Sequence, residues 1–198
     1  SPTALVLLAR VRGQDSREWF AAHRREFHAL VLEPLRTLVR DLADLMLDID
    51  AGIEVRPAVG RTISRINRDT RFSRDKSRYR DHMWFTFKRP SANWQDAPAF
   101  FFEIAPSRYQ YGMGYYAASR ATMDALRSRI DHEPASFLAA TELHRDEPRF
   151  SLEGERYVRP LPNPHGAEIQ EWYQRKSFYL TCKREPDDVL FSDRLVGE

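Results

Sequence analysis

Arg65, Arg68, Arg71 and Arg74 recur at every third position of a stretch whose gaps hold Asp69, Thr70, Ser73 and, just beyond, Asp75 and Lys76. A guanidinium presents a planar fork that binds phosphate, sulfate or carboxylate in bidentate fashion, so this pattern suits an oxyanion. The expected ligand-binding set is Arg65, Arg68, Arg71, Ser73 and Lys76, with Thr70 and local backbone amides completing it. Four residues are candidates for catalysis: Asp69 and Asp75 as acid or base, Tyr79 as proton donor or hydrogen-bonding tip, and His23 as a partner from an early helix. Arginines close by should depress an aspartate pKa. That favours an ionised carboxylate that orients a substrate over a general acid, in a setting where the arginines stabilise charge on a bound or departing oxyanion.

Each of these readings has a structural counterpart. From Arg61 to Arg80 there are eight basic residues against Asp69 and Asp75, a net charge of +6; the whole chain carries only +2, so the remainder sums to −4. The positive field is therefore local, and it favours an anion or an acidic partner without dictating a fold. A salt-bridge lattice through Asp69, Asp75 and Asp81, with Glu18, Glu26 or Glu103 contributing from elsewhere, is the alternative use of the same charges. His23 can equally be a helix histidine hydrogen-bonded beside aromatic core residues. Three kinds of partner remain open: a small anionic ligand or substrate, an acidic partner chain in a heteromeric complex, and nucleic acid. The modest overall charge and the lack of a nucleic-acid-binding motif place the last of these third.

Other chemistries lack an anchor. The six histidines form no His-x-x-x-His pair and Cys182 is the sole cysteine, so neither a metal site nor an internal disulfide is expected, and a reducing, cytoplasmic setting is the simplest reading. No cofactor is expected: Gly112-Met113-Gly114 is too short for a dinucleotide fingerprint and reads as a turn, and no P-loop or Gly-x-Ser-x-Gly pattern occurs. The apolar run Leu5–Ala9 is too short to span a bilayer, so no membrane association is expected. Trp84, Phe85, Phe87, Phe100, Phe101 and Phe102 could stack bases, yet strand alternation makes them better core residues.

The elements that must position these residues follow from periodicity. Leu5–Val11 reads as a buried helix ended by Gly13, and Asp15, three residues before Glu18, reads as the acid that caps the next. Trp19, Phe20, His23, Phe27, Leu30 and Val31 recur at helical spacing, Pro34 breaks or restarts the helix, and Leu35 to Met46 continues the period. Ile53–Val55 and Arg61–Ile66 read as short strands, after which the basic stretch turns to loop or short helix. Met83–Lys88, Ala99–Ala105 and Tyr109–Met113 read as strands, the last two joined by a hairpin at Pro106-Ser107. Ser119 and Pro134 open two helices, the second holding Phe137, Leu138 and Leu143 inward. A short strand at Phe150–Gly154, a helix near Glu168–Tyr173, a strand over Lys176–Thr181 and a terminal helix from Pro186 complete the chain. With 198 residues and 42% hydrophobic content, this predicts one α+β domain over residues 1–198, with an antiparallel sheet of about five strands covered by helices and a helical N-terminal third.

The run Arg65-Ile66-Asn67-Arg68-Asp69-Thr70-Arg71-Phe72-Ser73-Arg74-Asp75-Lys76 resembles the signature of the bacterial family known as domain of unknown function 2461. Arg17-Glu18-Trp19-Phe20-Ala21-Ala22-His23 is similar to that family's opening helix, Gly112-Met113-Gly114-Tyr115-Tyr116 to its glycine turn, and Lys176-Ser177-Phe178-Tyr179 to a segment near its end. Asn67 stands where an aromatic is usual, Ser77-Arg78 where Thr-Pro is usual, and Arg80 where Lys is usual. The resemblance implies an α+β domain of unestablished activity and supplies no substrate.

Overall fold

Caps, breakers and side chains that compete with the backbone set the boundaries of the elements. The computed structural model describes the backbone of all 198 residues and every side chain except that of Leu143, so the inward position expected of Leu143 lies outside the described side chains. Two compact units emerge: Ser1–Phe87 with Phe101–Gln110 and Arg184–Glu198, and Lys88–Phe100 with Tyr111–Lys183.

In the first unit, α1 (Pro2–Gln14) buries Leu5, Leu7, Leu8 and Val11. It ends at Asp15, which adopts the left-handed conformation at φ 43°. The capping role expected of Asp15 belongs instead to Ser16, whose Oγ accepts the Trp19 amide at 3.1 Å and opens α2 (Arg17–Phe27). Asp15 is occupied elsewhere, because its carboxylate accepts the backbone amides of Arg78 and Tyr79 at 2.6 and 3.2 Å. Pro34 restarts the helix through a π turn, His28–Leu32, in which the Glu33 amide reaches back to the His28 carbonyl. This wider turn delivers the proline into the first turn of α3 (Glu33–Asp41), where a missing amide costs nothing. α4 (Ala43–Ile49) follows, so the N-terminal region is helical.

The strands expected at Ile53–Val55 and Arg61–Ile66 do not form. Only isolated bridges occur there, pairing Val59 with Ile63, Ile63 with Phe85 and Asn67 with Tyr79. Ser64 explains part of this: its amide donates to the Trp84 carbonyl at 2.8 Å while its side-chain oxygen accepts the returning Trp84 amide at 3.0 Å, so a hydroxyl replaces one rung of the ladder. No helix forms in Arg61–Arg80, which is an irregular loop anchored at its ends by buried Ile63, Ile66 and Tyr79. β1 (Met83–Phe87) alternates as expected, with Met83, Phe85 and Phe87 each 1% exposed. Phe85 stacks on Phe102 at 5.3 Å, building the core of this unit.

β2 (Pro98–Ala105) and β3 (Arg108–Tyr115) form the expected hairpin around Pro106-Ser107. In the second unit, α5 (Arg120–His132) is capped by Ser119, whose Oγ accepts the Thr122 amide at 3.1 Å. α6 (Pro134–Ala140), α7 (Glu142–Asp146), β4 (Ser151–Glu153), α8 (Ala167–Tyr173) and β5 (Tyr179–Arg184) follow. The fold is α+β, with one antiparallel sheet in the order β1-β2-β3-β5-β4. β4 and β5 pair with Leu152 opposite Leu180. Met123 of α5, Leu152 of β4, Trp172 of α8 and Phe178 form a buried cluster, joined by Leu126 and Phe137.

Gly112-Met113-Gly114 lies within β3 and is not the turn that its glycines suggest. The backbone of β5 approaches so closely that a Cβ on Gly112 would sit 1.9 Å from the Leu180 carbonyl oxygen, which is why the position excludes a side chain. The last strand begins at Tyr179, three residues later than expected, because Lys176 and Ser177 direct their groups to Glu155 and Ala118. In place of the helix expected from Pro186, a 3-10 turn occupies Asp193–Gly197. Among the described residues no helix is long and apolar enough to cross a membrane.

Candidate functional site

The loop Arg61–Arg80 is tied to α1 and to Asp15 at its end, and those ties help to set where its charges face. Asp75 accepts the Ser77 amide at 3.0 Å and the Ser77 hydroxyl at 2.7 Å, and it takes a 2.7 Å contact from Arg12 of α1. Arg68 reaches the same carboxylate at 3.2 Å and donates a second nitrogen to Ser73 Oγ, also at 3.2 Å. Its Nε is buried without a hydrogen-bond partner. Lys76 closes the loop by donating to the Thr70 carbonyl at 2.8 Å. Arg68, Ser73 and Asp75 are therefore brought together, with Arg12 added from outside the stretch.

Arg71 and Arg65 are used differently. Arg71 forms a two-point pair with Asp69, at 3.0 Å through Nε and 2.7 Å through a terminal nitrogen. Both groups are well exposed, so the pair adds little to stability. Arg65 lies beside Gly60, where a Cβ would sit 3.5 Å from its guanidinium, and its own carbonyl accepts Arg80 at 3.0 Å. Arg80 also donates to the Asn67 carbonyl and lies 5.0 Å from the centre of the Trp84 ring. Burial, followed by the charge of Arg68, lowers the Arg80 pKa.

The carboxylates are firmly ionised. Hydrogen bonds from Arg71, side chain first and backbone amide second, bring Asp69 down to about 2. The Ser77 amide and hydroxyl bring Asp75 down to about 2, with Arg12 and Arg68 assisting. Such groups hold a charge in place and do not deliver protons at neutral pH.

A family model described as "Conserved hypothetical protein (DUF2461)" matches residues 3–198. The chain belongs to this family. No curated protein and no solved structure matches it. The match takes in both compact units and the entire basic stretch.

His23 and Tyr79 both pack against aromatic neighbours. His23 stacks on Trp19 at 3.8 Å and its Nδ1 donates to the Trp19 carbonyl at 2.8 Å. Among the described residues nothing joins it to Asp69 or Asp75 by hydrogen bond or ion pair. Tyr79 is only 4% exposed and its ring meets Phe20 at 4.8 Å. Sequence reasoning missed Arg12 and Asp15, the two residues that orient the loop from α1 and its end; neither has a signature, since their partners lie about sixty positions away. It also missed Phe72, which is 97% exposed at the tip between Arg71 and Arg74. No group of three or more His, Cys, Asp or Glu side chains is placed to hold a metal ion among the described residues.

Proposed function

We propose that this protein recognises oxyanions through the Arg61–Arg80 loop, binding a phosphorylated, sulfated or carboxylated small molecule. One observation carries the reading. Of the eight cations in the loop only Arg68 and Arg71 have a carboxylate within 4 Å among the described residues; Glu54, Glu18 and Asp69 act at longer range on Arg61, Arg78 and Arg80, and Arg65, Arg74 and Lys76 are the least compensated. A lattice built for stability alone would be expected to neutralise more of them. Arg68 and Ser73, already hydrogen-bonded to each other, supply the donors at the centre, and the ionised Asp75 fixes the Arg68 fork from behind. Arg65, Arg71 and Lys76 supply surrounding positive charge. Asp69 and Asp75 act as orienting carboxylates in this reading, which assigns binding and no chemical step.

Thermal unfolding in inorganic phosphate, sulfate and nucleotides, each compared with chloride at matched ionic strength, tests it. A ligand at a hundredfold excess over its Kd stabilises the folded state by about 2.7 kcal/mol. Stabilisation by at least one oxyanion, reduced in both Arg68→Ala and the exposed Arg74→Ala, is the expected result. No stabilisation by any of them, or binding untouched by both substitutions, contradicts it.

The 97% exposure of Phe72 favours a second reading, in which the loop docks on an acidic partner chain with Phe72 as an apolar anchor. Phe72→Ala should leave stability within about 0.5 kcal/mol. Unchanged oxyanion binding in that variant separates the two readings, because only a partner interface needs the ring.

A further inference from the structure

The second unit carries a cleft of about 480 Å³, within the range of small-molecule sites, that the Arg61–Arg80 loop does not contribute to. Two short segments singled out by the sequence meet there: the Tyr115 amide donates to the Phe178 carbonyl at 2.9 Å. Aromatic rings line it, among them Tyr115, Tyr116 and Tyr157, together with Arg120, Lys176 and Glu155. Tyr116 is 76% exposed, an unusual position for a large ring, and Trp94 meets it obliquely, with 5.4 Å between ring centres and 42° between planes. Most of the Tyr116 ring is therefore open for stacking. Lys176 is paired with Glu155 and lies 5.7 Å from the Tyr157 ring centre. Arg120 has Asp124 at 3.5 Å, and its side chain is 86% exposed, so most of its fork is free.

Hydrogen bonds tie the backbone of the walls together. Ser177 Oγ accepts the Ala118 amide at 3.0 Å, and the Lys176 amide donates to the Glu155 carbonyl at 2.7 Å. Beneath them Arg175, 5% exposed, donates to the carbonyls of Leu152 and Gly154, each at 2.8 Å. Such preorganisation reduces the ordering cost of binding.

We propose that this cleft is a ligand site for a compound that combines a planar ring with an anionic group, the chemistry of a mononucleotide. The ring stacks on Tyr116, as bases stack on exposed aromatics elsewhere. The anionic group is taken by the Arg120 fork with Lys176 beside it, and the Glu155 carboxylate accepts from hydroxyl or amino groups between them. A simple anion uses only half of this arrangement, and a neutral sugar offers no charge to the terminal nitrogens of Arg120.

Calorimetric titration with adenosine 5′-monophosphate, adenosine, ribose 5-phosphate and glucose tests the assignment. The monophosphate should bind more tightly than any of the other three, and Tyr116→Ala and Arg120→Ala should each weaken it about tenfold or more. Both side chains are exposed, so neither substitution should disturb the fold. Arg74→Ala, in the other unit, removes part of any general oxyanion binding by the basic loop but should leave the preference for the monophosphate over ribose 5-phosphate unchanged. Equal binding of ribose 5-phosphate, tighter binding of glucose, or loss of monophosphate binding in Arg74→Ala but in neither cleft variant overturns the proposal. The last result would leave the oxyanion reading of the basic loop intact, whereas failure of that loop to bind leaves the cleft untouched.

Discussion

Asp75 does more for the loop than any arginine in it. Its two carboxylate oxygens gather Ser77, Arg12 and Arg68, which joins the loop to α1 and fixes the direction of the Arg68 fork. Because these bonds favour the ionised form, the Asp75 pKa falls from 3.8 to about 2. A group whose folded pKa is depressed contributes stability that is present above its unfolded pKa and is lost as pH falls through its folded value. Asp75→Asn should therefore lower the melting temperature at neutral pH, and the gap to the parent protein should close as pH falls from 3.8 to about 2. Melting curves across that range check this; a gap that persists unchanged at the acid end contradicts it. The same residue shows why part of the site was legible in the sequence. Asp69 and Arg71 are two positions apart, and their pairing follows from adjacency, whereas the Arg12 partner of Asp75 is sixty-three positions away and has no local signal.

At the scale of elements, the periodic signals were read correctly where packing enforces them. β1 buries every second side chain, α5 begins at its serine cap, and the β2–β3 hairpin turns at Pro106-Ser107. The misses share a cause: a side chain or a distant strand overrides local preference. Ser64 substitutes its hydroxyl for a strand rung, Asp15 leaves its capping role for the Arg78 and Tyr79 amides, and Gly112 serves close strand approach in place of a turn. Gly112→Ala isolates the last of these. A Cβ at 1.9 Å from the Leu180 oxygen forces β3 and β5 apart, since neither backbone can yield without losing pairing. The substitution should destabilise the protein by about 3 kcal/mol in chemical denaturation. A change below about 0.5 kcal/mol would show that the strands are free to separate there.

For the molecule as a whole, the division of charge is the feature to be explained. A chain of net charge +2 concentrates +6 in a single loop. The structure pairs two of those eight cations with carboxylates and turns Arg80 back onto the carbonyls of Arg65 and Asn67. The local charge density was legible in the sequence; its orientation was not, because it depends on α1 and on the bridges at Ile63 and Asn67. Concentrated positive charge repels itself, so an anion bound at the loop, as proposed above, would relieve that repulsion and stabilise the folded protein.

Titration of pyrophosphate while following the arginine Nε–Hε resonances by NMR tests this reading most directly. Saturable shifts at Arg65, Arg68 and Arg71, with the buried Arg127 and Arg175 unmoved, are the predicted result. Shifts confined to other arginines, or none that saturate, would contradict it.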